Sequence, residues 1–177
     1  MRHIFVALVL VLLAGSACAE PAVKIDIKWL YKDFVSPVNI YEVKGRPLLW
    51  QTNSVANLAA APVGSPISSA SFQLAPGQKK RFVLIVQNNT DKPQHFFAAP
   101  HSAKPEEQAL GFKFKCLCIN HAYSINPRET WYRVVEFRLS PQFEGDGLAI
   151  SHTIIGIDSK RAASFSQEHE MSSMPDM

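Results

Sequence analysis

Gly111-Phe112-Lys113-Phe114-Lys115-Cys116-Leu117-Cys118-Ile119 is a short run between turn residues, with none of the long 3.6-residue stripe of an amphipathic helix. It reads as a β-strand, and on either side of it the chain repeats the pattern. Further strands are expected over residues 130–139 and 149–157 on one side, and over 94–99, 80–87, 69–74, 48–52, 38–43 and 23–30 on the other. Turn signals stand between most of them, at Pro76-Gly77, Asn88-Asn89-Thr90-Asp91, Asn126-Pro127 and Glu144-Gly145-Asp146-Gly147. Many short strands at this spacing predict an all-β fold, an antiparallel β-sandwich. Two stretches break the rhythm: residues 53–68, rich in Ala, Gly, Ser and Pro, read as a long surface loop, and residues 102–109 have room for one helical turn.

In a strand, side chains two apart share a face, so Cys116 and Cys118 are expected to present their sulfurs together while Lys115, Leu117 and Ile119 face the other way. Their Cα atoms would lie about 6.6 Å apart, close to the upper limit of roughly 6.8 Å for a disulfide. Such a bond would be strained or need a kink, and it would close too small a loop to stabilise the fold much. Two thiols aimed at one point are better suited to a soft ion. Two thiolates satisfy Cu(I), whereas a structural Zn(II) site takes four ligands and would need histidines. His121, three residues after Cys118, could supply one, and His95 or His101 could reach in from a neighbouring strand. The alternative reading makes the cysteines small buried apolar residues and the histidines surface or turn residues.

The first residues read differently. Met1-Arg2-His3, an apolar run from Ile4 to Leu13, and Ala17-Cys18-Ala19 before Glu20 have the order of a signal peptide cut after Ala19. The run is too short for a permanent anchor, which needs about 20 residues. Acylation of Cys18 as a lipoprotein is the weaker alternative, because Gly15 stands where such sites usually carry Leu. The expected location is the periplasm, with no permanent membrane anchor, and the chain divides into a signal peptide over 1–19, a β-sandwich over 20–158 and a flexible tail over 159–177. At 47% hydrophobic and 19% charged residues, the composition excludes a disordered chain. A net charge of +3 at pH 7 gives no argument for nucleic acid or a polybasic membrane surface.

Of the four methionines, one is the initiator and the others are Met171, Met174 and Met177. With His169 they spell H-x-M-x-x-M-x-x-M in a segment with no apolar pattern to pack. Thioethers are neutral ligands for Cu(I) and, unlike thiols, form no disulfides in an oxidising compartment. The tail is expected to capture metal; otherwise it is a disordered tail in which methionine is incidental.

Several of these residues together resemble a known family. Asn89-Thr90-Asp91, the spaced Pro100 and Pro105, Phe114-Lys115-Cys116-Leu117-Cys118-Ile119, Asn126-Pro127-Arg128-Glu129 and Phe137-Arg138-Leu139-Ser140-Pro141 resemble the copper chaperone of cytochrome c oxidase assembly, the CtaG type, over about residues 74–157. The resemblance implies an immunoglobulin-like β-sandwich, Cu(I) ligation by Cys116 and Cys118, often across a homodimer, and delivery of copper to a haem-copper oxidase subunit. The chain differs from the family in its cleavable N-terminal segment, in Leu117 and Ile119 where aromatics flank the pair, and in the Met-rich tail. These differences imply a soluble relative.

The function expected from the sequence is therefore that of an exported Cu(I) chaperone rather than an enzyme, metallating an oxidase or another cuproenzyme. Copper buffering or resistance is an alternative use of the same site. A thiol oxidoreductase acting on copper-ligand cysteines is a rival, although the chain lacks a C-x-x-C opening a helix. A sandwich serving only protein contacts, with buried cysteines, is a third. No Ser-His-Asp order, phosphate loop or paired acid site points to a hydrolase or nucleotide enzyme.

Overall fold

A computed structural model describes residues 22–117 and 121–172, with side chains up to Phe165. The signal-peptide segment, Cys118, Met174 and Met177 lie outside the described residues. The chain forms β1 (Val23–Lys32), β2 (Val38–Val43), β3 (Thr52–Val55), β4 (Val63–Pro66), β5 (Ser71–Leu74), β6 (Lys79–Gln87), β7 (Gln94–Ala98), β8 (Ser102–Lys104), β9 (Phe112–Lys115), β10 (Tyr123–Ile125), β11 (Thr130–Leu139), β12 (Gly147–Ile157) and a terminal helix α1 (Ser159–Ser172). One sheet runs β10-β7-β12-β1-β5, with β8 also on β12. The other runs β3-β11-β6-β2-β4, with β9 also on β11. The all-β sandwich read from the sequence is the observed fold, with one change: β1 pairs β12 in parallel, from Lys24 opposite Gly147 to Lys32 opposite Ile155.

The main core fills the space between the sheets. Ile25 and Ile27 of β1, Leu148, Ile150 and Ile154 of β12, and Phe82, Leu84 and Val86 of β6 meet Val135, Phe137 and Leu139 of β11 there. The run Phe82–Val86 is buried at every position, which a two-faced strand achieves only when both faces are covered. Its other face, Val83 and Ile85, packs with Tyr132, Val134 and Ala61, and with Leu58 and Val63 at the margin. The expected surface loop over 53–68 is thus corrected: it holds part of β3, a 3-10 turn at Leu58–Ala60 and β4, and it covers the outer face of the second sheet. The expected strand over 48–52 moves to Thr52–Val55 because the backbone before it turns, with Trp50 in the left-handed region at φ 66°.

A second correction concerns the cysteine strand. β9 ends at Lys115 instead of running to Ile119. The edge of β11 that it pairs with is taken over beyond Glu136: Trp50 N donates to Val134 O and Val134 N donates to Gln51 O, both at 2.9 Å. With no ladder left to follow, the chain bends. Cys116 and Leu117 are both buried, at 4% and 0% exposure, so the strict in-out alternation expected there fails.

The tail departs from expectation as well. Residues Ser159–Ser172 are helical. Asp158 caps the start, its Oδ1 accepting from Arg161 N at 2.7 Å. Ala162 and Phe165, three apart, are buried, and Phe165 packs on Phe97 of β7 at 5.4 Å between ring centroids. Among the described side chains of the helix these are the two buried positions, too few to make a visible stripe. His169 and Met171 fall on this helix, with their side chains outside the described part. Among the described residues no helix is long and apolar enough to cross a membrane.

Candidate metal centre

On β12 the residues facing the core alternate as Leu148, Ile150, His152 and Ile154, so a histidine occupies an apolar row and is fully buried. The neighbours of β12 change at that point. β8 pairs with Ala149–Ser151 and β7 with Ile154–Ile157, and the connecting Ala99-Pro100-His101 crosses the gap, held by Ala99 N donating to Thr153 O at 2.9 Å. This crossing sets the His101 ring 5.1 Å from the His152 ring, centroid to centroid.

The other sheet supplies the sulfur. Where β9 ends, buried Arg133 of β11 donates from Nε to Cys116 O at 3.0 Å and from Nη1 to Thr52 Oγ1 at 2.7 Å. This fixes the bend, and the Cys116 Sγ stands 3.6 Å from His152 Nε2. One donor atom from each of His101, Cys116 and His152 lies within 4.8 Å of the others. A metal bonded to sulfur at about 2.3 Å and to nitrogen at about 2.0 Å, at trigonal to tetrahedral angles, sets those donors roughly 3.5–3.7 Å apart. The Cys116–His152 separation fits that, and with His101 inside the 4.8 Å limit the group could hold a metal ion.

Aromatic rings wall the site. Trp29, opposite His152 in the β1–β12 register, stacks on it at 5.1 Å and 26°, and Phe114 meets it edge-on at 5.3 Å. Trp29 Nε1 is buried with no hydrogen-bond partner among the described residues. Cys116 is 4% exposed and His152 0%, while His101 is half-buried and is the most exposed of the three.

Of the residues singled out in the sequence, Cys116 is in this group and His101 joins it. His95 is engaged elsewhere, Nδ1 with Ser124 Oγ at 2.8 Å and Nε2 with Ser159 Oγ at 3.1 Å. His121 packs edge-on against Tyr123 at 5.0 Å and borders a surface depression with Thr52 and Asn53. His152 is the ligand candidate that sequence reading missed; its signal is a histidine in the inward register of an otherwise apolar strand.

The turns quoted from the sequence are joined in space. Arg128 donates to Asp91 Oδ1 and to Asn89 O, both at 2.8 Å, and Asn88 Nδ2 donates to Asn126 O at 3.0 Å.

The model of a family described as a domain of unknown function, DUF8709, matches residues 23–157, and the chain belongs to that family. The match runs from β1 to β12, so it contains His101, Cys116 and His152 and stops short of α1. No curated protein matches the chain.

Proposed function

We propose that the chain is an exported copper-binding protein that holds Cu(I) at Cys116, His101 and His152 and passes it to an acceptor protein. The observation that carries this reading is the convergence of one thiol and two imidazoles from opposite sheets. A His₂Cys set is a characteristic copper environment, whereas a closed structural zinc site takes a fourth ligand. The sequence adds a second thiol at Cys118, two positions on, and thioethers at Met171, Met174 and Met177. We place the protein in the periplasm, with a haem-copper oxidase subunit as the recipient suggested by the resemblance to the oxidase-assembly copper chaperone. The role is non-catalytic. The thiol oxidoreductase alternative is weakened by the burial of Cys116, since exchange needs an accessible thiolate.

Burial also favours a second reading, in which the copper stays. An ion enclosed by Trp29, Phe114 and a fully buried His152 leaves slowly, as buffering or electron transfer requires.

Titration of Cu(I) into the mature chain against a competing chelator tests the site. One tightly bound equivalent is expected, weakened about a hundredfold or more by Cys116→Ser or His152→Ala, as losing a ligand that contributes about 3 kcal/mol would do. Undiminished binding in Cys116→Ser with Cys118→Ser overturns the copper reading, and preference for Zn(II) over Cu(I) overturns the choice of metal. Rapid transfer to an apo-acceptor selects delivery, and retention over hours selects the second reading.

A further inference from the structure

The outer face of the second sheet carries its charges in register. Across β9, β11 and β6, Lys115, Glu136 and Arg81 form one row, and Lys113, Arg138 and Lys79 form the next. Like charges directly opposite one another cost stability, and the second row sets three cations side by side. Glu136 answers part of this, its carboxylate 3.0 Å from Arg81, 3.2 Å from Arg138 and 3.8 Å from Lys79. Lys115 lies over the Trp50 ring, 5.0 Å from its centre. Lys113 has no carboxylate within ion-pair distance among the described residues. Five exposed cations thus surround one buried carboxylate, in a chain whose total charge is only +3.

The surface beside the second row is concave. A cavity of ≈ 230 Å³ is lined by Leu110, Phe112, Leu139 and Pro141, with Lys113 and Arg138 among its walls. Arg138 also borders both adjoining depressions, one with Lys79 and the other with Lys113, Lys115 and Glu136. Leu110 at its edge is 96% exposed.

We propose that this face docks an acidic polypeptide segment of a partner protein, with one apolar side chain in the cavity and carboxylates on Lys113, Arg138 and Lys79. The cavity is below the 300–1,000 Å³ typical of small-molecule sites and suits a single side chain. The cations stand about 4.8 Å apart across strands and about 6.8 Å along β9. Lys113, Arg138 and Lys79 lie across three strands and span about 9.6 Å, more than one phosphate covers, so they take carboxylates from more than one residue of a segment. Arg138 offers the planar fork that pairs a carboxylate bidentately. Docking on this face does not depend on copper.

Titrating the full chain with a synthetic peptide of alternating Glu and Ser around one central Leu, followed by amide NMR and calorimetry, tests it. Shifts confined to β6, β9 and β11 are expected, with affinity falling as salt rises. Lys113→Gln with Arg138→Gln should weaken binding about tenfold, the loss of roughly 1.4 kcal/mol, and Lys113→Gln alone gives a smaller loss without touching the Glu136 cluster. Lys28→Gln on the opposite sheet should change nothing. No binding at low ionic strength, equal affinity for a peptide lacking the Leu, or shifts elsewhere overturns the proposal. So does binding to anionic phosphatidylglycerol vesicles by a chain that ignores the peptide.

Discussion

Asn88 is 1% exposed and both ends of its amide are engaged. Nδ2 donates to the carbonyls of Lys92, Ile125 and Asn126 at 2.8, 3.3 and 3.0 Å. Oδ1 accepts from Thr90 N, Thr90 Oγ1 and Gln94 Nε2 at 3.0, 2.7 and 2.9 Å. One side chain thereby ties the turn after β6 to the turn before β11. Asn88→Ala leaves several buried groups without partners, each costing about 1–3 kcal/mol and not additively, so a net loss of about 2–4 kcal/mol is expected in urea unfolding. A loss under about 1 kcal/mol would show that the turns are held by other contacts. The metal candidates were legible to different depths. Cys116 stands out in any reading as half of a C-x-C, and His101 as a reachable neighbour. His152 was hidden, because a lone histidine in a strand becomes a ligand candidate only when the opposite sheet is known to end in a cysteine. The expected run of the strand to Ile119 failed for a related reason: whether a strand continues past Lys115 is decided by Trp50 and Gln51, more than sixty residues away in sequence.

Elements with strong alternation or long apolar runs were read to within a residue or two, as β2, β6 and β11 show. The ones missed, β4, β8 and β10, span three or four residues and include Val63-Gly64-Ser65-Pro66, whose Gly and Pro signal a loop. They form because a partner strand supplies the ladder. The parallel pairing of β1 with β12 is equally non-local, and it rests on a close approach: a Cβ at Gly156 would stand 1.9 Å from Asp33 O, so only glycine lets the β1–β2 turn sit there. β6 shows what the loop over 53–68 contributes. Ile85 points away from the main core, yet it is fully buried beneath that loop, beside Ala61 and Tyr132. Ile85→Ala is therefore expected to cost about 2–5 kcal/mol, like a core truncation, and not the near-zero cost of an outward-facing position. Chemical denaturation of the variant measures it, and a loss below about 1 kcal/mol would mean the loop does not seal the face.

At the scale of the whole molecule, the charges are distributed so that one carboxylate governs acid stability at the cationic face. Burial pushes the Glu136 carboxyl up, but the Arg81 hydrogen bond, Lys79 and Arg138 together outweigh it and hold the group below its ordinary value of 4.5. A carboxyl lowered in the folded state stabilises the fold at pH above its unfolded value. That contribution is lost as pH falls through the folded value, where the proton neutralises the one anion among five cations. Glu136→Gln should accordingly lower stability near neutral pH by about 1–2 kcal/mol, less than a wholly buried pair would, because its partners are about half exposed and screened. The difference from the parent chain should shrink as pH drops below 4.5 and vanish once both chains carry a neutral side chain there. Thermal unfolding of the two chains across that range checks the sign, and a gap that widens on acidification contradicts it. The same substitution removes the one negative charge from the surface proposed to dock an acidic segment. It should therefore tighten binding of the acidic peptide while weakening the fold, a pairing of opposite effects that a purely structural ion cluster would not produce.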